Sequence, residues 1–179
     1  MRVMGIDPGI SHTGFGVLDA AARERLVPVA SGIIRTSSRS SFLDGLCQLH
    51  TELERLFLQY RPEHLAIEEV FFAKNVRSAL LLGQARGVVL LSAALAHIQV
   101  FEYSATEIKK AICSYGHAGK DQIKAMVKVL LRLEKAAPDH AADALAASIC
   151  HVHSFHTSRA RATRRCGDFC EPLVPSRQL

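Results

Sequence analysis

The sequence predicts an α/β protein built on a five-stranded mixed sheet with helices on both faces. Three observations predict it. Apolar runs at residues 3–6, 14–18 and 26–36 follow one another with only short turns between them, as in an antiparallel meander. A helical repeat of leucines separates this meander from a fourth apolar run at 64–67, and a right-handed crossover would lay that run parallel to the first. Both of these runs end in a carboxylate, Asp7 and Glu68. Parallel neighbours carry their C-terminal ends on the same side of a sheet, at the edge where α/β proteins bind ligands.

Each element has a local cause. The first strand stops at Asp7-Pro8-Gly9, good turn chemistry that would by itself account for an aspartate there. The return strand runs to about Asp19. The third carries Pro28 near its start and Gly32 as a candidate bulge. Ser40 or Ser41 can cap a helix in which Leu43, Leu46, Leu49, Leu53, Leu56 and Phe57 recur at helical spacing up to Tyr60, and Arg61-Pro62 stops it. After Glu68 alternation turns Glu69 to the opposite face. Residues 76–97 form a long helix that is apolar around much of its circumference, so one face can cover the sheet while the other needs a partner. Residues 99–103 read as the fifth strand. Ser104 and Glu107 have capping-box spacing, a further helix spans about 121–133, and Pro138-Asp139 opens a last helix to about His153.

Composition bounds the function. At 179 residues one domain is expected, over 1–154, followed by a basic, disordered tail over 155–179. The net charge of +5 favours an anionic partner such as nucleic acid. It is uneven, with five arginines against one aspartate and one glutamate from Phe155 onward. The chain shows no secretory leader, and its longest apolar stretch, 87–96, reads as too short to span a bilayer. Five scattered cysteines then read as reduced thiols of a cytoplasmic protein with no membrane contact. Cys166 and Cys170 follow His151, His153 and His156, yet the spacing matches no standard structural zinc site.

The residues that carry chemistry cluster by topology. Burying an unpaired carboxylate is costly, and two carboxylates brought together repel unless a cation lies between them. Asp7 and Glu68 therefore read as cation ligands. Asp143 stands in an alanine-rich helix, where a packed surface has no use for a charge. His140, three residues earlier, shares its face. Phe71 and Phe72 follow the second carboxylate, where an aromatic can stack on an unpaired base or plug the core, as Phe72 is expected to do. Lys109, Lys110, Lys124 and Lys128 flank the glycine-punctuated loop 114–120 and are placed to touch phosphates.

Taken together, Met4-Gly5-Ile6-Asp7-Pro8-Gly9, Ala66-Ile67-Glu68-Glu69-Val70-Phe71, Leu82-Gly83-Gln84-Ala85-Arg86-Gly87 and Ala141-Ala142-Asp143-Ala144-Leu145-Ala146 resemble the RuvC family of bacterial Holliday-junction resolvases, in order and spacing over about residues 1–154. The resemblance implies a ribonuclease-H-like fold, a homodimer, a four-way DNA junction as substrate, Mg²⁺ or Mn²⁺, and the RuvA–RuvB branch-migration complex as partner. It also implies paired symmetric nicks that leave 5′-phosphate and 3′-hydroxyl ends. By the same resemblance Asp7, Glu68 and Asp143 match acidic metal ligands. His140 stands where many members have a fourth aspartate and where a histidine variant also occurs. Phe71 matches an aromatic that contacts bases near the crossover, and Lys109 and Lys120 match basic residues near the scissile phosphate. The tail has no counterpart.

Two metal ions would serve this chemistry, with Asp7 bridging both, Glu68 completing one site and Asp143 with His140 the other. Imidazole is the softer ligand, so a Mn²⁺ preference is expected, with activity falling as the pH drops through the range in which histidine protonates. Three other functions share parts of the pattern: a junction-binding scaffold without catalysis, a nucleotide-binding protein of the actin and sugar-kinase type, and a ribonuclease H acting on RNA–DNA hybrids. Metal-dependent cleavage, ATP binding and substrate competition separate them.

Overall fold

The computed structural model describes residues 1–9, 11–21, 25–36, 41–69 and 76–156. Five strands, β1 (Arg2–Asp7), β2 (His12–Ala20), β3 (Leu26–Arg35), β4 (His64–Glu68) and β5 (Gln99–Tyr103), form one sheet in the order β3-β2-β1-β4-β5. The β1–β2 and β2–β3 pairs are antiparallel, and β1–β4 and β4–β5 are parallel. The mixed sheet and the crossover are those the sequence predicts.

Alternation along each strand sorts the core into two layers. Met4, Ile6, Val17, Leu65 and Ile67 pack against Leu49, Leu53 and Leu56 of α1 (Phe42–Tyr60) and against Ala85 and Val89 of α2 (Val76–Leu95). Val3, Leu18, Ala66, Phe101 and Tyr103 face α3 (Ala105–Cys113), α4 (Lys120–Leu130) and α5 (Asp139–His156). This is the ribonuclease-H-like arrangement, with helices on both faces.

The helix ends follow local rules. Ser41 caps α1 in a capping box with Asp44, and Arg61 closes it in the left-handed region at φ 48°. Ser104 and Glu107 form the expected box at the start of α3. Three bounds differ from expectation. Helix α2 stops at Leu95, with His97 left-handed at φ 55°. Helix α4 begins at Lys120 and ends at Leu130, before Arg132 at φ 52°. Helix α5 continues to His156.

The bulge in β3 falls at Val29 and not at Gly32. Val17 pairs with Ala30 and Leu18 with Pro28, which leaves Val29 unmatched. Pro28 has no N–H for the ladder, so the irregularity forms beside it. Gly32 pairs regularly with Phe15, and its missing side chain makes room for the Phe15 ring, 2.8 Å from where a Cβ would stand.

Helix α5 lies unusually close to the sheet. A Cβ on Gly5 would stand 1.9 Å from the Ala144 carbonyl oxygen, and one on Gly14 would stand 1.9 Å from that of His140. Gly16 meets Leu145 in the same way, and the Ser148 hydroxyl donates to the Gly16 carbonyl at 3.0 Å. Ala141, Ala142, Ala144, Ala146 and Ala147 are all buried. Glycines on the strands and alanines on the helix therefore bring two backbones together, with the first turns of α5 at the end of the sheet where Asp7 lies.

Helix α2 buries only Ala85, Val89, Ser92 and Ala93. Val76, Leu80, Leu91 and Leu95 are exposed, and Gly83 and Gly87 have open space around them. At 20 residues α2 is long and apolar enough, by length and composition, to cross a membrane. The expectation that no stretch was long enough is corrected here. It counted an unbroken apolar run and overlooked that a helix interrupted by Gln84 and Arg86 remains apolar on average.

Candidate metal centre

Strand parity decides where the carboxylates go. Asp7 follows Val3 and Gly5 onto the α5 face of β1, and Glu68 follows Ala66 onto the same face of β4. The last parallel pair is Ile6 with Ile67, so the two carboxylates end neighbouring strands side by side. From above, α5 supplies His140 and Asp143 from its first turns. Nδ1 of His140 lies 2.7 Å from Oδ2 of Asp7, and Lys120 Nζ lies 3.2 Å from Oδ2 of Asp143. A cleft beside them is lined by Glu68, Asp143, Lys109 and Lys120 over an apolar floor of Ile108 and Ile123. Six predicted residues thus meet at one edge. Phe71 and Phe72 lie outside the described residues, as do Cys166, Cys170 and residues 157–179.

The electrostatics mark a site that needs positive charge. Burial pushes the Asp7 carboxyl above its ordinary range; the hydrogen bond with His140 opposes this and the Asp143 charge adds to it. Burial also raises Glu68, the charges of Asp7 and Asp143 raise it further, and Lys109 pulls it down. Asp143 raises Lys120 by holding its ammonium. The contact of His140 Nδ1 with Asp7 leaves Nε2 as the ring nitrogen not engaged by that carboxylate.

The donor set fits a hard divalent cation with one softer ligand: three carboxylates and an imidazole. Among the described residues, no three His, Cys, Asp or Glu side chains already enclose an ion-sized space. Two carboxylate oxygens are instead held by nitrogen donors, Asp7 by His140 and Asp143 by Lys120. Asp7, Glu68, Asp143 and His140 are the side chains that would hold the metal.

Several expectations are refined. The Glu69 carboxylate is exposed and away from the cluster. Lys124 forms a 2.6 Å ion pair with Asp139 at the start of α5, so it braces that helix and leaves the cleft to Lys109 and Lys120. His151 is buried and committed to the core, with Nδ1 2.7 Å from the Tyr103 hydroxyl and Nε2 2.9 Å from His64 Nδ1. That removes it from any zinc set.

Three contacts were not anticipated. The Thr13 hydroxyl closes the turn after Asp7 by donating to the Gly9 carbonyl at 3.0 Å. The His12 ring lies parallel to that of His140, with centroids 6.1 Å apart. Arg86 of α2 donates to the Glu68 carbonyl oxygen at 3.0 Å and pairs with Glu102. Only Arg86 had a signal in the sequence, as a charge in the middle of a mostly apolar helix.

The profile of the family described as crossover junction endodeoxyribonuclease RuvC matches residues 3–151. A protein of that description from Pelotomaculum thermopropionicum is 46% identical over 160 residues, 89% of this chain and 97% of its own. One from Heliobacterium modesticaldum is 46% identical over 156 residues, 87% of this chain and 96% of its own. The solved structure of Thermus thermophilus RuvC in complex with Holliday junction substrate superposes with a TM-score of 0.85 at 33% identity, over 90% of this chain and 98% of that one. The yeast mitochondrial Holliday junction resolvase Ydc2, at 11% identity and a TM-score of 0.61, shares the fold alone. A relative aligned over nearly its whole length and a profile that begins in β1 and ends in α5 place this chain in the RuvC family of crossover junction endodeoxyribonucleases.

Proposed function

We propose that this protein resolves four-way DNA junctions by metal-dependent hydrolysis of phosphodiester bonds, in recombination and repair. The observation that carries the reading is the meeting of Asp7, Glu68, His140 and Asp143 at one sheet edge, with Lys109 and Lys120 on its rim. Mg²⁺ or Mn²⁺, two ions per site, would supply charge relief on the leaving oxygen and a water activated at neutral pH.

The chain's own groups do the rest. Asp7 and Glu68 are anchored on adjacent strands, and Asp143 and His140 on a helix packed against those strands, so all four are held by rigid elements. Asp143 and Lys120 hold each other through one carboxylate oxygen. Lys120 lines the cleft, where its ammonium would meet the negative charge growing on the scissile phosphate. Lys109 on the opposite wall fixes the neighbouring backbone phosphate. Phe71 contacts bases near the crossover. The products are a 5′-phosphate and a 3′-hydroxyl.

A homodimer matches the approximate two-fold symmetry of a junction, so that two sites nick two strands at corresponding positions. The exposed side of α2, with Leu80, Leu91 and Leu95 around Gly83 and Gly87, supplies a surface for the second copy. RuvA–RuvB would present the junction.

The test is cleavage of a labelled mobile four-way junction, with linear duplex and RNA–DNA hybrid as controls, in Mg²⁺, Mn²⁺ and EDTA, beside Asp7→Asn. Paired nicks in the junction alone, lost in EDTA and in the variant, are expected. Binding without cutting in any metal would leave a scaffold, and cutting of the hybrid instead would overturn the substrate assignment.

A further inference from the structure

We propose that Arg86 is a positioning residue for Glu68, acting from the opposite face of the sheet; the inference rests on Glu68 being a metal ligand. Arg86 lies on α2, which packs on the face away from the metal centre. Its side chain is only 12% exposed, in a helix that is mostly apolar. A guanidinium is costly to bury unless its donors are met. Here they meet two acceptors at once: Nη1 donates to the Glu68 carbonyl oxygen at 3.0 Å, and Nη2 pairs with the Glu102 carboxylate.

The peptide unit between Glu68 and Glu69 is held at both ends. Its carbonyl is taken by Arg86, and its N–H donates to the Tyr103 carbonyl oxygen at 2.8 Å. β4 ends at Glu68, so the ladder alone would leave this last peptide gripped on one side. Clamping both groups fixes ψ of Glu68 and, with it, the direction in which its Cα–Cβ bond points over the sheet edge. Glu102 completes the device. It follows Val100 onto the α1 and α2 face, so its carboxylate cannot ligate an ion beside Asp7; its contribution passes through Arg86. The rigid fork of arginine serves both acceptors together, and the single ammonium of lysine does not.

The experiment uses the full chain and three variants, Arg86→Lys, Glu102→Ala and the double. The readouts are the Mn²⁺ concentration that gives half of the metal-induced rise in melting temperature, and kcat and KM for junction cleavage. Outer partners of metal ligands typically affect affinity by about 10- to 100-fold. We expect the Mn²⁺ midpoint to rise about tenfold in each single variant and no further in the double, since both cut one link. kcat should fall while KM for the junction stays as it was. Unchanged midpoints in the single variants, or multiplied losses in the double, would overturn the proposal and leave a plain interhelical ion pair. If Arg86→Lys does not fold, Glu102→Ala alone decides, because Glu102 has no other route to the ion. Glu68→Gln is measured alongside: a midpoint and a cleavage rate unmoved by that change would overturn the metal-centre reading itself, whatever Arg86 does.

Discussion

The imidazole Nδ1 of His140 lies 2.7 Å from Oδ2 of Asp7, across 133 positions of sequence. One residue ends the first strand and the other opens the last helix, and the contact sets what happens when either is changed.

Asp7→Asn should abolish cleavage and stabilise the metal-free protein. Burial raises the Asp7 carboxyl, so the folded chain holds that proton more tightly than the unfolded chain does. The stability linked to Asp7 is present at acid pH and is lost as pH rises through the raised value. An asparagine keeps the hydrogen-bond acceptor for His140 without the buried charge. Melting curves in EDTA at neutral pH should show a rise of about 2–4 °C, the equivalent of roughly 1 kcal/mol in a chain of this size, and the gain should vanish near pH 4. A variant that melts lower at neutral pH would contradict the account.

Added Mn²⁺ should raise the melting temperature of the parent protein and leave Asp7→Asn largely unmoved. Beyond burial, the Asp143 charge raises the proton affinity of Asp7, and Asp7 and Asp143 raise that of Glu68; a cation that relieves this repulsion binds the folded state alone. His140→Asp should then shift the ratio of Mn²⁺- to Mg²⁺-supported cleavage toward Mg²⁺ by about tenfold, because a hard oxygen replaces a softer nitrogen. Equal ratios in the two proteins would remove His140 from the ligand set.

Gly14→Ala should be far more harmful than its size suggests. The new methyl would stand 1.9 Å from the His140 carbonyl oxygen, backbone that cannot step aside alone. Overpacking of this kind costs about 1–3 kcal/mol, and the helix that must move carries two of the four proposed ligands, so cleavage should fall with stability. Gly83→Ala is the opposite case. Its methyl meets open space within the protomer, and in a monomeric Leu91→Glu, Leu95→Glu background thermal unfolding should show a gain of about 0.5–1 kcal/mol from helix propensity.

Leu91→Glu with Leu95→Glu should leave the protomer folded, since both side chains are largely exposed. Sedimentation should show a monomer, and junction cleavage should yield single nicks in place of paired ones. Paired nicking by a monomeric variant would sever the exposed face of α2 from the reaction.

The strands, the crossover and the two strand-ending carboxylates were legible because each is a local pattern with a simple topological consequence. Asp143 was legible because an acid among alanines has no packing purpose. The bed of Gly5, Gly14 and Gly16 under α5 was not, because a glycine in a strand announces only a missing side chain and not which backbone will fill the space. The bulge at Val29 was placed at Gly32 for a related reason: Gly32 was read as a defect in its own strand, when it makes room for a ring on the next. Arg86 was visible as a charge, but its partners belong to β4 and β5, and only the fold brings them to one guanidinium.

Helix α5 is the last described element, and it carries His140 and Asp143, two of the four proposed ligands, down onto the first two strands. A chain cut between Glu68 and Asp139 keeps Asp7 and Glu68 but has neither His140 nor Asp143. A fragment that stops short of α5 is therefore expected to leave a four-way junction uncut whatever metal is supplied.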